Sequence, residues 1–564
     1  MRVRAAIAAT RLRSRRISTE TSVTAVLSVI VSILVLVPLV AVVIGAGREE
    51  DAFSFRPLLT VLGSTTIIVN TLTMGIGATL GAVIAGAIFA LVLARVRTPG
   101  SIVLSRLLTL PLYVTPLLTA IAWSWLGSPR GGLINLFARR VLGIDSLINL
   151  HTEGGVIFVS ALSYVPLPFL LISAALRGMD PSLEESARVH GASTLASLRL
   201  VTLPLMLPSV LGSGLLVFVQ AMGLFSVPAV LGMPDGFLVA GTQIYRLLNN
   251  YPPRVSEAAA WGLLLLIATA GLVATQAVLL RRRSYVTVTG KAFRPLMLDV
   301  GPARWLGAAA AWSYILLAVI LPIGTLVWAA LVNFVTIEPR LMTFGFWHFR
   351  YVLFEYPKTY LALANSMILA AGSATCVCSL GLMVSWVIVR TRGPLQSWLD
   401  QASMVPLAIP SMVLALGLLW GYVGLKLLPI YGTLWILLFA YVTHYLPFGV
   451  RAGAGALQQL HVELEDAARL SGATWSKMIR RIILPLTRPT MVATWTLLFI
   501  LSMQEISSSI LLYTSRTTVL AVAVFDLWEA GNVNALAALS VIQLGITFTA
   551  LLLLFRVSEQ EVAA

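Results

Sequence analysis

Little of this 564-residue sequence is charged or reactive: 11% is Asp, Glu, Lys or Arg, and there are five His and two Cys. The two cysteines, Cys376 and Cys378, sit within one apolar run, which argues against a disulfide framework and reads as ordinary packing. The five His, at 151, 190, 348, 444 and 461, lack metal-ligand spacing, so the sequence marks no metal site and leaves open only one assembled in space. There are no paired carboxylates and no nucleophile beside a base, which argues against a membrane enzyme. A Gly-x-x-x-x-Gly-Lys-Ser/Thr phosphate loop is also missing. Lys291, the one Lys that follows a Gly, has Ala after it.

What is present is apolar. Hydrophobic residues make up 58% and the mean hydropathy is +0.91, more than a water-soluble core can hide. A bilayer-spanning helix needs roughly 20 apolar residues. Such runs fall at about 23–47, 64–94, 102–126, 155–176, 205–232, 257–280, 305–333, 361–389, 402–424, 432–453, 488–513 and 533–555, which gives twelve spans. Runs of that length indicate helices rather than a β-barrel. The net charge of +16 is spread in small groups beside these runs, so it reads as membrane topology and not as a nucleic-acid surface. Arg2, Arg4, Arg11, Arg13, Arg15 and Arg16 precede the first run, which is too long for a signal-peptide core and reads as a retained helix. The positive-inside rule puts both termini in the cytoplasm.

The chain also matches itself. At an offset of 295, Asn70-Thr71 meets Asn365-Ser366, Arg95-x-Arg97-x-Pro99 meets Arg390-x-Arg392-x-Pro394, and Pro111 meets Pro406. At an offset of 281, Tyr164-x-Pro166 meets Tyr445-x-Pro447, Gly191-Ala192 meets Gly472-Ala473, and Leu203-Pro204 meets Leu484-Pro485. The expected organisation is therefore a first half at 1–280, a cytoplasmic linker at 281–304 and a second half at 305–564. Six helices per half make the repeats parallel, with a pseudo-twofold axis along the membrane normal.

The most specific feature follows the fourth span of each half: EESARVHGASTLASLRLVTLPLMLP at 184–208 and EDAARLSGATWSKMIRRIILPLTRP at 465–489. The two align without a gap. In the first, Glu184 to His190 is a short helical run, Gly191 permits a turn through positive φ, and a second helix is expected to run to Leu203-Pro204. This pattern resembles the EAA loop of the binding-protein-dependent permeases of type I ABC importers, with Ser186 standing where Ala is usual and Asp466 in the Glu position. The resemblance implies an all-α membrane protein of the type I ABC importer permease fold in the bacterial inner membrane. It implies that Glu185, Ala187, Gly191, Asp466, Ala468 and Gly472, with the adjoining Glu184 and Glu465, contact an ATPase. Two copies of a separate ABC ATPase subunit, carrying ATP and Mg, and an extracytoplasmic solute-binding protein are the implied partners. No cofactor is expected on this chain.

Fused permeases of this layout resemble the iron(III) import subfamily, with thiamine and phosphonate importers as relatives. The segment 501–531 carries part of that subfamily's pattern. Glu505, inside an apolar span, is costly unless it meets a partner or a wet cavity, so Glu505 with Gln504 and Ser507 forms a candidate pathway. The alternative for Glu505 is that it caps a broken helix. Gln220 reads as packing, Asn70 and Asn365 as helix caps, and Pro111, Pro116, Pro406 and Pro410 as kinks. An ion-coupled secondary transporter, the rival of another class, would need more intramembrane acids and has no use for a duplicated EAA loop.

Overall fold

A computed structural model describes residues 2–49, 52–281, 301–334, 342–421 and 429–563. Nearly all of it is helical, as lipid demands of a chain that must satisfy every backbone N–H and C=O within itself. The exceptions among the described residues are small, chiefly a two-stranded antiparallel pairing of Arg48–Glu49 with Ala52–Phe53. Nine described helices are long and apolar enough to cross a bilayer, and three bent helix pairs raise the number to twelve if each pair is one span. Most of the expected linker, residues 282–300, lies outside the described residues.

The third and ninth expected spans are broken, not merely kinked. Ser101–Tyr113 and Pro116–Gly127 meet at 95°, and Pro394–Ala408 and Ser411–Leu419 at 104°. Proline pushes the residue before it out of the helical region. Thr115, before Pro116, and Ile409, before Pro410, are both extended, while Pro111 and Pro406 tighten the preceding turns into 3-10 geometry.

A second correction concerns Leu203-Pro204 and Leu484-Pro485, where the motif's second helix was expected to stop. Instead a π turn, Leu198–Thr202 or Ile479–Ile483, leads straight into the helices Leu203–Met222 and Leu484–Met503. The wider turn takes the missing N–H of proline and the bulk of its ring without ending the helix. Each of these spans then breaks earlier than expected, at Gly223 and Gln504. An unforeseen short helix follows in both halves, Ala240–Asn249 and Leu520–Glu529.

The repeated Asn70-Thr71 and Asn365-Ser366 hold these short helices and do not cap their own. Both lie inside long helices, Thr65–Arg95 and Thr359–Arg390. Asn70 Nδ2 donates to the Leu238 carbonyl at 3.1 Å, and Asn365 Nδ2 donates to those of Thr518 and Arg516 at 2.9 and 3.2 Å. The neighbouring hydroxyls, Thr71 and Ser366, accept from Ala240 N–H at 2.8 Å and Leu520 N–H at 2.7 Å. The start of each short helix is thus satisfied by side chains of a distant span, which no local capping pattern reveals.

The chain forms two compact units: 1–45 with 361–520 and 546–564, and 46–360 with 521–545. The first-span helix thereby packs with second-half residues: Gly417 lets it approach so closely that an added Cβ would lie 2.2 Å from the Pro38 carbonyl oxygen. In the other unit the second half's Tyr314 donates to the Leu162 carbonyl at 2.8 Å. Sequence repeats and compact units are therefore different divisions of this chain.

Candidate coupling site and translocation pathway

Both EAA segments form the same helix–turn–helix. Asp180 accepts from Ser182 N–H at 2.9 Å and opens the helix Pro181–Val189. Its counterpart is Val462–Leu470. Both end in a left-handed glycine, Gly191 at φ +86° and Gly472 at φ +78°. Ala192 and Ala473 N–H then reach back to the Ala187 and Ala468 carbonyls at 3.0 Å, closing each helix end. A Cβ at either glycine would meet nothing within 4 Å, so the requirement for Gly is one of backbone conformation alone.

The two neighbouring acids divide their work. Glu185 and Asp466 are exposed, while Glu184 and Glu465 are buried. Glu465 Oε1 lies 2.6 Å from Arg390 Nε and its Oε2 accepts from Trp386 Nε1 at 3.1 Å, while Arg390 Nη2 donates to the Leu457 and Leu460 carbonyls at 3.0 and 2.8 Å. In the first half Glu184 Oε1 lies 3.3 Å from Arg95 Nη2 and accepts from Thr202 Oγ1 at 2.8 Å. Arg95, fully buried, makes no aligned hydrogen bond through its guanidinium, so this anchor is the looser. The sequence marked Arg95 and Arg390 as a repeat and as topology, but gave no signal that they hold the loop. Also unforeseen were Val189 and Leu470, equivalent residues 85% and 90% exposed just before each glycine. The result on each loop is a helix anchored from beneath whose exposed side carries the outer acid and large apolar side chains, a surface built to be covered.

The three candidate pathway residues sit at the break after Met503. Glu505 Oε1 accepts from Ser508 N–H at 3.0 Å and Oε2 from Tyr445 Oη at 3.0 Å. Ser507 is buried beside them, and Gln504 Nε2 is buried without a hydrogen-bond partner. The Glu505 carboxylate thus ties the turn after the break to the helix Leu434–Gln458. Gln220 contributes its backbone: its carbonyl accepts from Tyr164 Oη at 3.3 Å, as the Leu501 carbonyl does from Tyr445 Oη at 3.1 Å in the second half.

Nine to twelve candidate spans among the described residues, a twofold repeat and two anchored helix–turn–helix loops are the parts of a membrane translocation subunit. The chain belongs to the family of binding-protein-dependent transport system inner membrane components, whose family model matches residues 77–284 and 378–560. It is thus the permease of a binding-protein-dependent ABC importer. It is 25% identical over 525 residues to the ferric transport system permease protein of Actinobacillus pleuropneumoniae, covering 90% of this chain and 74% of that one. It is 24% identical over 487 residues to an Fe(3+)-transport system permease protein of Haemophilus influenzae, covering 86% and 87%. A solved chain of a bacterial ABC transporter involved in the import of alginate superposes with a TM-score of 0.42 at 22% identity, over 48% of this chain and 98% of its own.

Proposed function

We propose that this permease carries iron(III) into the cytoplasm by alternating access, with both termini cytoplasmic. Two copies of an ABC ATPase cover the loops at 181–197 and 462–478, and a solute-binding protein delivers cargo from outside. The observation that carries the mechanism is the matched pair of loops, each with its inner acid turned in to an arginine and its outer acid and a large apolar residue exposed. Closure of the nucleotide domains on ATP draws the loops together and opens the cavity outward; hydrolysis resets it. The cargo rests on the names of the ferric transport relatives, which span most of this chain. The sharpest test is uptake of radiolabelled iron(III), with thiamine and 2-aminoethylphosphonate in parallel, by vesicles holding permease, ATPase and binding protein. ATP-dependent accumulation of iron alone is expected. Accumulation of another solute would keep the machine and replace its cargo.

A further inference from the structure

The two halves share a structural device that the second half has elaborated. Tyr164 and Tyr445, equivalent residues, both close the break of the following span by reaching a backbone carbonyl. Around Tyr164 the first half has Ser160, Ser163 and Leu224. At the same offset of 281 the second half has Tyr441, His444 and Glu505. All three exchanges put a metal-ligating side chain where a small or apolar one suffices for the fold. The His444 ring lies 4.9 Å from that of Tyr445, and both tyrosines reach Glu505. Tyr441, His444 and Tyr445 share a face of the helix Leu434–Gln458 at i, i+3 and i+4 spacing. Tyr445 Oη meets the Glu505 carboxylate at 3.0 Å, and Tyr441 Oη lies 3.4 Å from the Glu505 carbonyl oxygen and 2.6 Å from Ser509 Oγ. His444 is buried with Nδ1 unpartnered, which leaves that nitrogen available as a ligand.

We propose that Tyr441, Tyr445, Glu505 and His444 form a transit site for a trivalent hard cation within the membrane span. The inference rests on the iron(III) reading above and names where the permease itself holds that cargo. Phenolate and carboxylate oxygens are hard, anionic donors, and a neutral imidazole nitrogen completes the set. Charge balance selects the cation. Each tyrosine gives its proton to an anionic ligand that the arriving cation sheds, and the two phenolates with one carboxylate offset a charge of three, leaving a neutral complex where an uncompensated charge is expensive. A monovalent cation does not repay the loss of both phenolic protons. With the site empty, the tyrosines stay neutral and the carboxylate rests on the Ser508 N–H and the Tyr445 hydroxyl.

The test uses the full-length permease in lipid nanodiscs titrated with ferric nitrilotriacetate. One iron per permease is expected, with the visible absorbance of tyrosinate-to-iron(III) charge transfer, displaced by colourless gallium(III). Tyr441→Phe with Tyr445→Phe should abolish the band, and the isosteric Glu505→Gln should weaken binding at least tenfold while ATPase assembly persists. Tyr164→Phe, which removes the corresponding tie in the first half, should leave the band unchanged and so controls for loss of structure. A wild type without the band, or a band that survives in the double Phe variant, overturns the site. Complete transporter that imports iron equally well with Glu505→Gln overturns the site and leaves the cargo standing. Transport of a different solute in place of iron removes both.

Discussion

At the scale of single residues, function depends on a few side chains whose cost is visible. The Glu465–Arg390 pair is buried, and removing one partner strands the other without compensation. Arg390→Ala is therefore expected to cost about 3–5 kcal/mol in unfolding of the purified permease, whereas replacing both partners with leucine should recover most of that loss. The sequence displayed both residues, yet their pairing was not legible, because 75 positions separate them and only the return of the chain brings them together. The glycines were legible. Positive φ at Gly191 and Gly472 in open space means that asparagine should be tolerated and valine should not. Gly→Val at either position is expected to leave ATPase turnover in the assembled transporter while lowering transport per ATP; full coupling in both variants would contradict the assigned turn.

At the scale of helices, proline and glycine set the geometry. The breaks at Pro116 and Pro410 were announced by the residues themselves, but their size, near a right angle, follows from the 3-10 turns and extended residues that surround them. The glycines in packed spans are equally diagnostic. At Gly417 a methyl group would collide with the backbone of Pro38, while Gly212, in the helix Leu203–Met222, faces nothing within 4 Å. Gly417→Ala should destabilise by about 1–3 kcal/mol through overpacking. Gly212→Ala should be neutral or stabilising by up to about 1 kcal/mol. Thermal unfolding of the two variants side by side separates close packing from a general sensitivity to alanine. The Asn-Thr/Ser repeat shows the limit of local reading: capping was the natural expectation, and the true partners lie about 150 to 170 residues away.

At the scale of the molecule, the short helices from the two halves meet within one compact unit. Phe225, Tyr245 and Phe525 pack ring against ring at 5.0 to 5.9 Å, and Tyr245 Oη donates to Glu529 at 3.0 Å. Partial desolvation raises the Glu529 carboxyl above the usual carboxylate range; the Tyr245 hydrogen bond opposes this and the nearby Asp526 adds to it. The folded state therefore binds this proton more tightly than the unfolded chain, so stability is expected to fall as pH rises through the carboxylate range toward the raised value. The effect should be small, because the side chain is exposed, and Glu529→Gln should flatten that part of the pH profile of thermal unfolding.

What the sequence determined by itself was whatever depends on hydropathy, period and local backbone chemistry: helical spans, their repetition, the loop glycines and the proline breaks. Those signals are short-range and survive translation along the chain. Tertiary structure alone decided which acid of each loop turns inward, which arginine receives it and what the repeated Asn holds. It also decided that the first helix packs with the second half and that Tyr441 and Tyr445 reach Glu505. The reason is physical. In a low-dielectric span an unpaired polar group is costly, and in a chain of 564 residues the partner it finds is set by helix packing and not by distance in sequence.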